Sequence, residues 1–194
     1  MRRSYKNLLS PIVLNELNYI VGNSANNKKI ADLLLDEQKK FCAYTDEYIS
    51  RTDAGDIEHF DPTLKDTAQD NYYNWFIVKH QWNKEKSNKW AKCQPVLHPT
   101  ADDFEERIIY VDGDYVAKLS TDIEAVNLIK LLKLDDAALA EKRKKYIARK
   151  RMEIDNSGEN AKDYFIILIN AEPCGVSYLR AIKEGFGIDL WQYL

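Results

Sequence analysis

Residues 56–90 read DIEHFDPTLKDTAQDNYYNWFIVKHQWNKEKSNKW, and the order of signals within them decides how the chain is to be understood. "DIEHF" (56–60) reads as a short strand ending in an acid–histidine pair, Glu58-His59. A polar loop from Asp61 to Asn71 follows. "NWFIV" (74–78) is apolar enough for a buried strand. "HQWNKEKSNKWAK" (80–92) reads as a helix, and its Asn83 and Lys86, three residues apart, share one face. Strand, loop, strand and helix therefore carry Glu58, His59, Asn74, Asn83 and Lys86, and the chemistry is expected here.

Upstream, Ser10-Pro11 forms an N-cap and first-turn pair, with a helix expected to run through "IVLNELNYIV" to Gly22. "NNKKIADLLLDEQKKF" places Ile30, Leu33, Leu34 and Phe41 at helical spacing. Downstream, capping boxes are expected at Thr100/Asp103 and Thr121/Glu124. "RIIYVDGDYVAKL" reads as a hairpin turning at Asp112-Gly113. A long helix capped by Asp135 covers "DDAALAEKRKKYIARKRMEI", and "AKDYFIILINA" and "SYLRAIKEGF" read as two more. The fold class expected is α+β, mostly helical, with two small antiparallel β elements.

The chain has 194 residues, of which 45% are hydrophobic and 30% charged, a composition that suits one globular domain with a real core. The organisation expected is a helical segment over 1–41, a core over 42–92, and a hairpin with helices over 93–194, packed together. No apolar run approaches the ~20 residues that span a bilayer, and three scattered cysteines make a disulfide framework a poor expectation. Cytoplasmic location is therefore expected. Net charge is −3, so any nucleic-acid footprint has to be local. Two basic stretches, 79–92 and 141–151, could offer one, but a solvated helix face is the simpler reading of each.

"NWFIVKHQWNKEKSN" (74–88) resembles the "N-x-x-x-x-C-x-x-C-N-x-x-K-x-N" pattern of the HNH nucleases, the ββα-metal fold. Lys79 and Trp82 stand where that pattern has cysteines. Upstream, Cys42 is present and Thr45 replaces a second cysteine, so a structural zinc is not expected. Aromatic packing by Tyr44, Trp75, Trp82 and Trp90 is the expected substitute. The hydrolytic residue types remain. His59 suits a general base, and Glu58 and Asn83 offer the hard oxygen ligands that Mg²⁺ or Mn²⁺ takes. Lys86 is a point cation for developing negative charge. By the resemblance, Asn74 holds the loop and orients the base. The order of segments over residues 40–150 is similar to the nuclease subunits of Septu-type and retron-associated antiphage systems. That similarity implies DNA as substrate and an ATPase partner.

An RNA nuclease with the same site, and a non-catalytic interaction module that kept the outline, are the alternatives. His98 with Asp102 and Asp103 forms either a second metal site or, more simply, a turn before a capped helix. His80 reads as a surface residue. Cys93 and Cys174 read as buried thiols, and the apolar "GFGIDLWQYL" (185–194) either packs on the core or docks a partner.

Overall fold

The computed structural model describes residues 1–86 and 88–194. Eight helices and four strands are assigned among them. In chain order these begin with α1 (Pro11–Leu14), α2 (Ser24–Glu37), β1 (Gly55–His59), β2 (Trp75–Lys79) and α3 (His80–Lys86). They continue with α4 (Phe104–Arg107), β3 (Ile108–Val111), β4 (Asp114–Ala117), α5 (Ile123–Leu132), α6 (Ala137–Ser157), α7 (Ala161–Ala171) and α8 (Leu179–Phe186). The strands form two separate antiparallel pairs, β1 with β2 and β3 with β4. The fold is α+β and mostly helical. No helix among the described residues is long and apolar enough to cross a membrane.

Several elements differ from expectation for local reasons. The helix expected to reach Gly22 stops at Leu14. Ser10 caps it through Ile12 N, as its sequence suggests, but Asn15 Nδ2 turns back to Pro11 O at 2.7 Å and Glu16 enters the left-handed region. An asparagine that bonds nearby backbone offers the chain an alternative to further helix. Residues 80–92 divide into α3 and a 3₁₀ turn at Trp90–Cys93; Ser87, inside that stretch, lies outside the described residues. Asp122 rather than Thr121 caps α5, and Asp136 rather than Asp135 caps α6. Thr100 turns its hydroxyl to His98 instead of capping, and α4 has no side-chain cap.

One hydrophobic cluster joins all three expected regions, from Ile12, Ile30 and Leu34 through Trp75–Val78 to Phe104, Leu128, Phe165 and Ile182. β2 lies deep within it: Trp75, Phe76, Ile77 and Val78 are all buried. Its outer edge is closed by the Gln38 side chain and by Ala43 N, which donates to Ile77 O at 3.0 Å. The Gln38 amide accepts from Ile77 N and donates to Ile77 O, both at 2.8 Å, completing backbone groups that a third strand would otherwise take. The C-terminal apolar stretch packs onto the body, with Leu190 buried and the Arg2 guanidinium 3.5 Å from the Trp191 ring centre.

Candidate active site

The β1–β2 register sets Asp56 opposite Val78, Glu58 opposite Phe76 and His59 opposite Trp75. Side chains alternate along a strand, so Asp56 and Glu58 share a face and His59 lies on the other. α3 starts directly at the end of β2 and leans back over β1. Asn83 Nδ2 thereby donates to Asp56 Oδ2 at 2.9 Å, and His80 Nδ1 lies 2.7 Å from the same oxygen. One turn on, the buried Lys86 ammonium meets Glu58 Oε1 and donates to His59 O at 2.7 Å and Phe60 O at 2.6 Å. An ammonium has three protons, and these three acceptors take them all. Lys86 therefore pins the end of β1 and holds Glu58, and has no donor left to offer a substrate.

Burial pushes the Glu58 carboxyl above its ordinary value, with Lys86 opposing and Asp56 adding to the rise. Burial likewise pulls the Lys86 ammonium down, opposed by Glu58. Tyr44 OH adds a 3.4 Å contact to Glu58 Oε1. Among the described residues, Glu58 Oε2, Asp56 Oδ1 and Asn83 Oδ1 take no hydrogen bond. Two carboxylates and an amide are a hard-oxygen set of the kind Mg²⁺ takes while retaining several waters. No group of three or more His, Cys, Asp or Glu that could hold a metal occurs among the described residues. A metal here would thus depend on Asn83 and water as well as the carboxylates.

His59 is buried against Tyr19, edge to face with ring centres 4.8 Å apart, and against Trp75. Its Nε2 lies 3.1 Å from Asp70 Oδ2. Burial lowers the imidazole pKa, and Asp70 opposes that shift. Asn74 clasps the intervening loop at both ends. It accepts from Asp61 N at 2.7 Å, donates to Asp61 O at 3.0 Å and reaches Asp70 Oδ1 at 3.1 Å. Glu58, His59, Asn83 and Lys86 line one open cleft of about 670 Å³, with Tyr19, Lys28 and Lys65 also on its walls. Lys28 is engaged with Asp32 at 2.5 Å, and the exposed Lys65 lies 5.6 Å from the Tyr19 ring centre.

Cys42, Thr45, Lys79 and Trp82 are the residues that the resemblance sets at zinc-ligand positions. Cys42 Sγ accepts from Lys79 N at 3.4 Å, and burial pushes its thiol pKa up. Thr45, Tyr44, Trp75 and Trp82 are buried, and Trp90 is half-buried. Cys93 and Cys174, expected to be buried, are half-buried and exposed, because each lies in a short surface 3₁₀ turn. His98 does not join Asp102 and Asp103: it stacks edge-on to Phe60, while Asp102 pairs with Arg3 and Asp103 lies 3.7 Å from Arg107. In the basic stretch 141–151, Lys142, Lys144, Lys145 and Arg149 each have a carboxylate within 4 Å. His80 is exposed but tied to Asp56.

Asp56, Asp70 and Tyr19 were missed from the sequence. Strand alternation points to Asp56, two residues before Glu58. Nothing local marks the other two, which arrive from a loop and from the N-terminal segment. No family model, curated protein or solved structure matches the chain.

Proposed function

We propose that the chain is a metal-dependent endonuclease of the HNH type, hydrolysing phosphodiester bonds in DNA. The observation that carries this reading is the convergence of Glu58, His59 and Asn83 on one cleft through a strand–strand–helix unit, with Asn74 closing the loop behind them. His59 takes the proton from an attacking water, work that an imidazole does near neutral pH. Glu58, Asn83 and Asp56 would hold Mg²⁺ or Mn²⁺, which supplies neutralisation of charge on the phosphate when bound. Lys86 acts from behind, fixing the Glu58 carboxylate and the strand end that carries His59. Lys65 at the cleft mouth is suited to the approaching nucleic-acid backbone. The resemblance extends the proposal to an antiphage role with an ATPase partner.

A non-catalytic interaction module is the second reading. The observation that favours it is the buried Glu58–Lys86 pair, which already neutralises the carboxylate. The two part in one experiment: supercoiled plasmid, single-stranded DNA and RNA incubated with Mg²⁺ or Mn²⁺, wild type against His59→Ala, alongside direct Mn²⁺ titration. Metal-dependent cutting that His59→Ala abolishes, with Mn²⁺ binding weakened in Glu58→Ala and Asn83→Ala, is expected. Cutting of RNA alone would change the substrate. An unchanged rate in His59→Ala, or no cutting and no Mn²⁺ binding, would overturn the nuclease.

A further inference from the structure

We propose that Asp70 is a positioning residue for His59: it holds the imidazole as the Nε2–H tautomer, so that Nδ1 is the nitrogen free to accept a proton in the cleft. Four observations carry this. The first is enclosure. His59 Nε2 has no solvent-accessible surface, and Asp70 Oδ2 lies 3.1 Å from it. His59 lines the cleft, and of its two ring nitrogens only Nε2 is enclosed without a hydrogen bond, which leaves Nδ1 to the cleft.

The second is the charge of the neighbour. A deprotonated Nε2 would aim its lone pair at a carboxylate, whereas Nε2–H aims a proton at it, so the carboxylate selects the protonated form. The N–H direction misses the ideal hydrogen-bond line. Catalytic hydrogen bonds are commonly poorly aligned without substrate and tighten when it is bound.

The third is that Asp70 is itself held. Its Oδ1 accepts from Trp75 Nε1 at 2.7 Å and Asn74 Nδ2 at 3.1 Å, and its side chain is only 6% exposed. These donors occupy one carboxylate oxygen and leave the other for the imidazole. The fourth is the loop. Asn74 ties Asp61 and Asp70 to the start of β2, so the segment after His59 closes on itself and brings Asp70 back to the ring. When His59 accepts a proton, a buried imidazolium–carboxylate pair results, and the carboxylate is in place before the proton arrives.

The catalytic consequence rests on the reading of His59 as base; the tautomer does not. The test is therefore spectroscopic first. Long-range ¹H–¹⁵N correlation of the imidazoles is recorded at alkaline pH, where the ring is neutral, with His59→Ala assigning the signal. The wild type should show Nε2–H. Asp70→Asn presents an amide that donates to Nε2 and should switch His59 to Nδ1–H, while retaining an acceptor for Trp75. In cleavage assays the same variant should lower kcat by roughly 10²–10⁴-fold with KM little changed.

A wild-type ring carrying its proton on Nδ1 would overturn the proposal, and needs no variant to fold. So would an Asp70→Asn protein that keeps the wild-type tautomer, or one that cleaves at the wild-type rate. If the tautomer switches as stated while the wild type never cuts nucleic acid, the positioning role stands and the nuclease reading falls.

Discussion

Lys86 illustrates how far a residue type can be read and where the reading ends. A lysine one turn after Asn83 suggests a cation aimed at phosphate, yet its three donors close on Glu58, His59 O and Phe60 O. Breaking such a buried pair from one side leaves an uncompensated charge, at a cost of about 3–5 kcal/mol. Lys86→Met should cost that much in urea unfolding, and adding Glu58→Gln should recover a large part of it. A double variant as unstable as the single one would show that the carbonyl contacts dominate. Lys6 makes a second case. Its ammonium reaches Trp75 O and sits 4.3 Å from the ring centres of Tyr72 and Phe76, and burial pulls its pKa down to about 7 despite Glu37. The unfolded chain, with an ordinary lysine near 10.4, binds more protons between these values. This group's contribution to stability therefore rises with pH from about 7 to 10. Comparing unfolding of wild type and Lys6→Met across that range checks it: the variant should show a flatter slope.

Among the elements, the hairpin of β3 and β4 was the most legible. Asp112 and Gly113 both take positive φ, the geometry of a two-residue turn matched to strand twist. The packing of the turn was not legible. A Cβ at Gly113 would lie 2.5 Å from Ala140 O on α6, and Arg143 donates to Gly113 O at 2.9 Å. Gly113→Ala thus combines strain at φ +90° with a backbone clash. It should cost ~2–3 kcal/mol, or roughly 4–12 °C in Tm by calorimetry for a chain of this size. A shift below one degree would mean that the turn can move off α6 freely. The caps follow the same division. Thr121-Asp122 and Asp135-Asp136 each offer two neighbouring candidates, and local sequence does not choose between them. At the first, Arg107 pairs with both Asp122 oxygens, at 2.8 and 2.6 Å, and so selects the residue that begins α5.

For the molecule as a whole, the decisive feature is one core shared by segments distant in sequence. The first residues lie across it: Ser4 N reaches Pro99 O at 2.9 Å and Asn7 N reaches Tyr72 OH at 3.0 Å. The hydrophobic cluster spans all three regions expected from sequence, so unfolding should be a single cooperative transition. Tryptophan fluorescence, which reports on Trp75, Trp82, Trp90 and Trp191, should change together with far-ultraviolet circular dichroism. Separated midpoints would mean that residues 42–92 unfold independently of the helices that follow.

The periodicity of α2, the presence of helices at α6 and α7, the Asp-Gly turn, and the strand–loop–strand–helix order were all legible in the chain, because each is set by contacts among near neighbours. Glu58, His59, Asn74, Asn83 and Lys86 could likewise be singled out by type and spacing. The partners of those side chains could not. Asp70 against His59, Tyr19 over its ring, Asp56 beside Asn83 and the enclosure of the Lys86 ammonium all join groups that the sequence keeps apart or whose directions only packing can set. A side chain's identity limits the bonds it can make, while the surrounding fold excludes water and decides which of those bonds it does make.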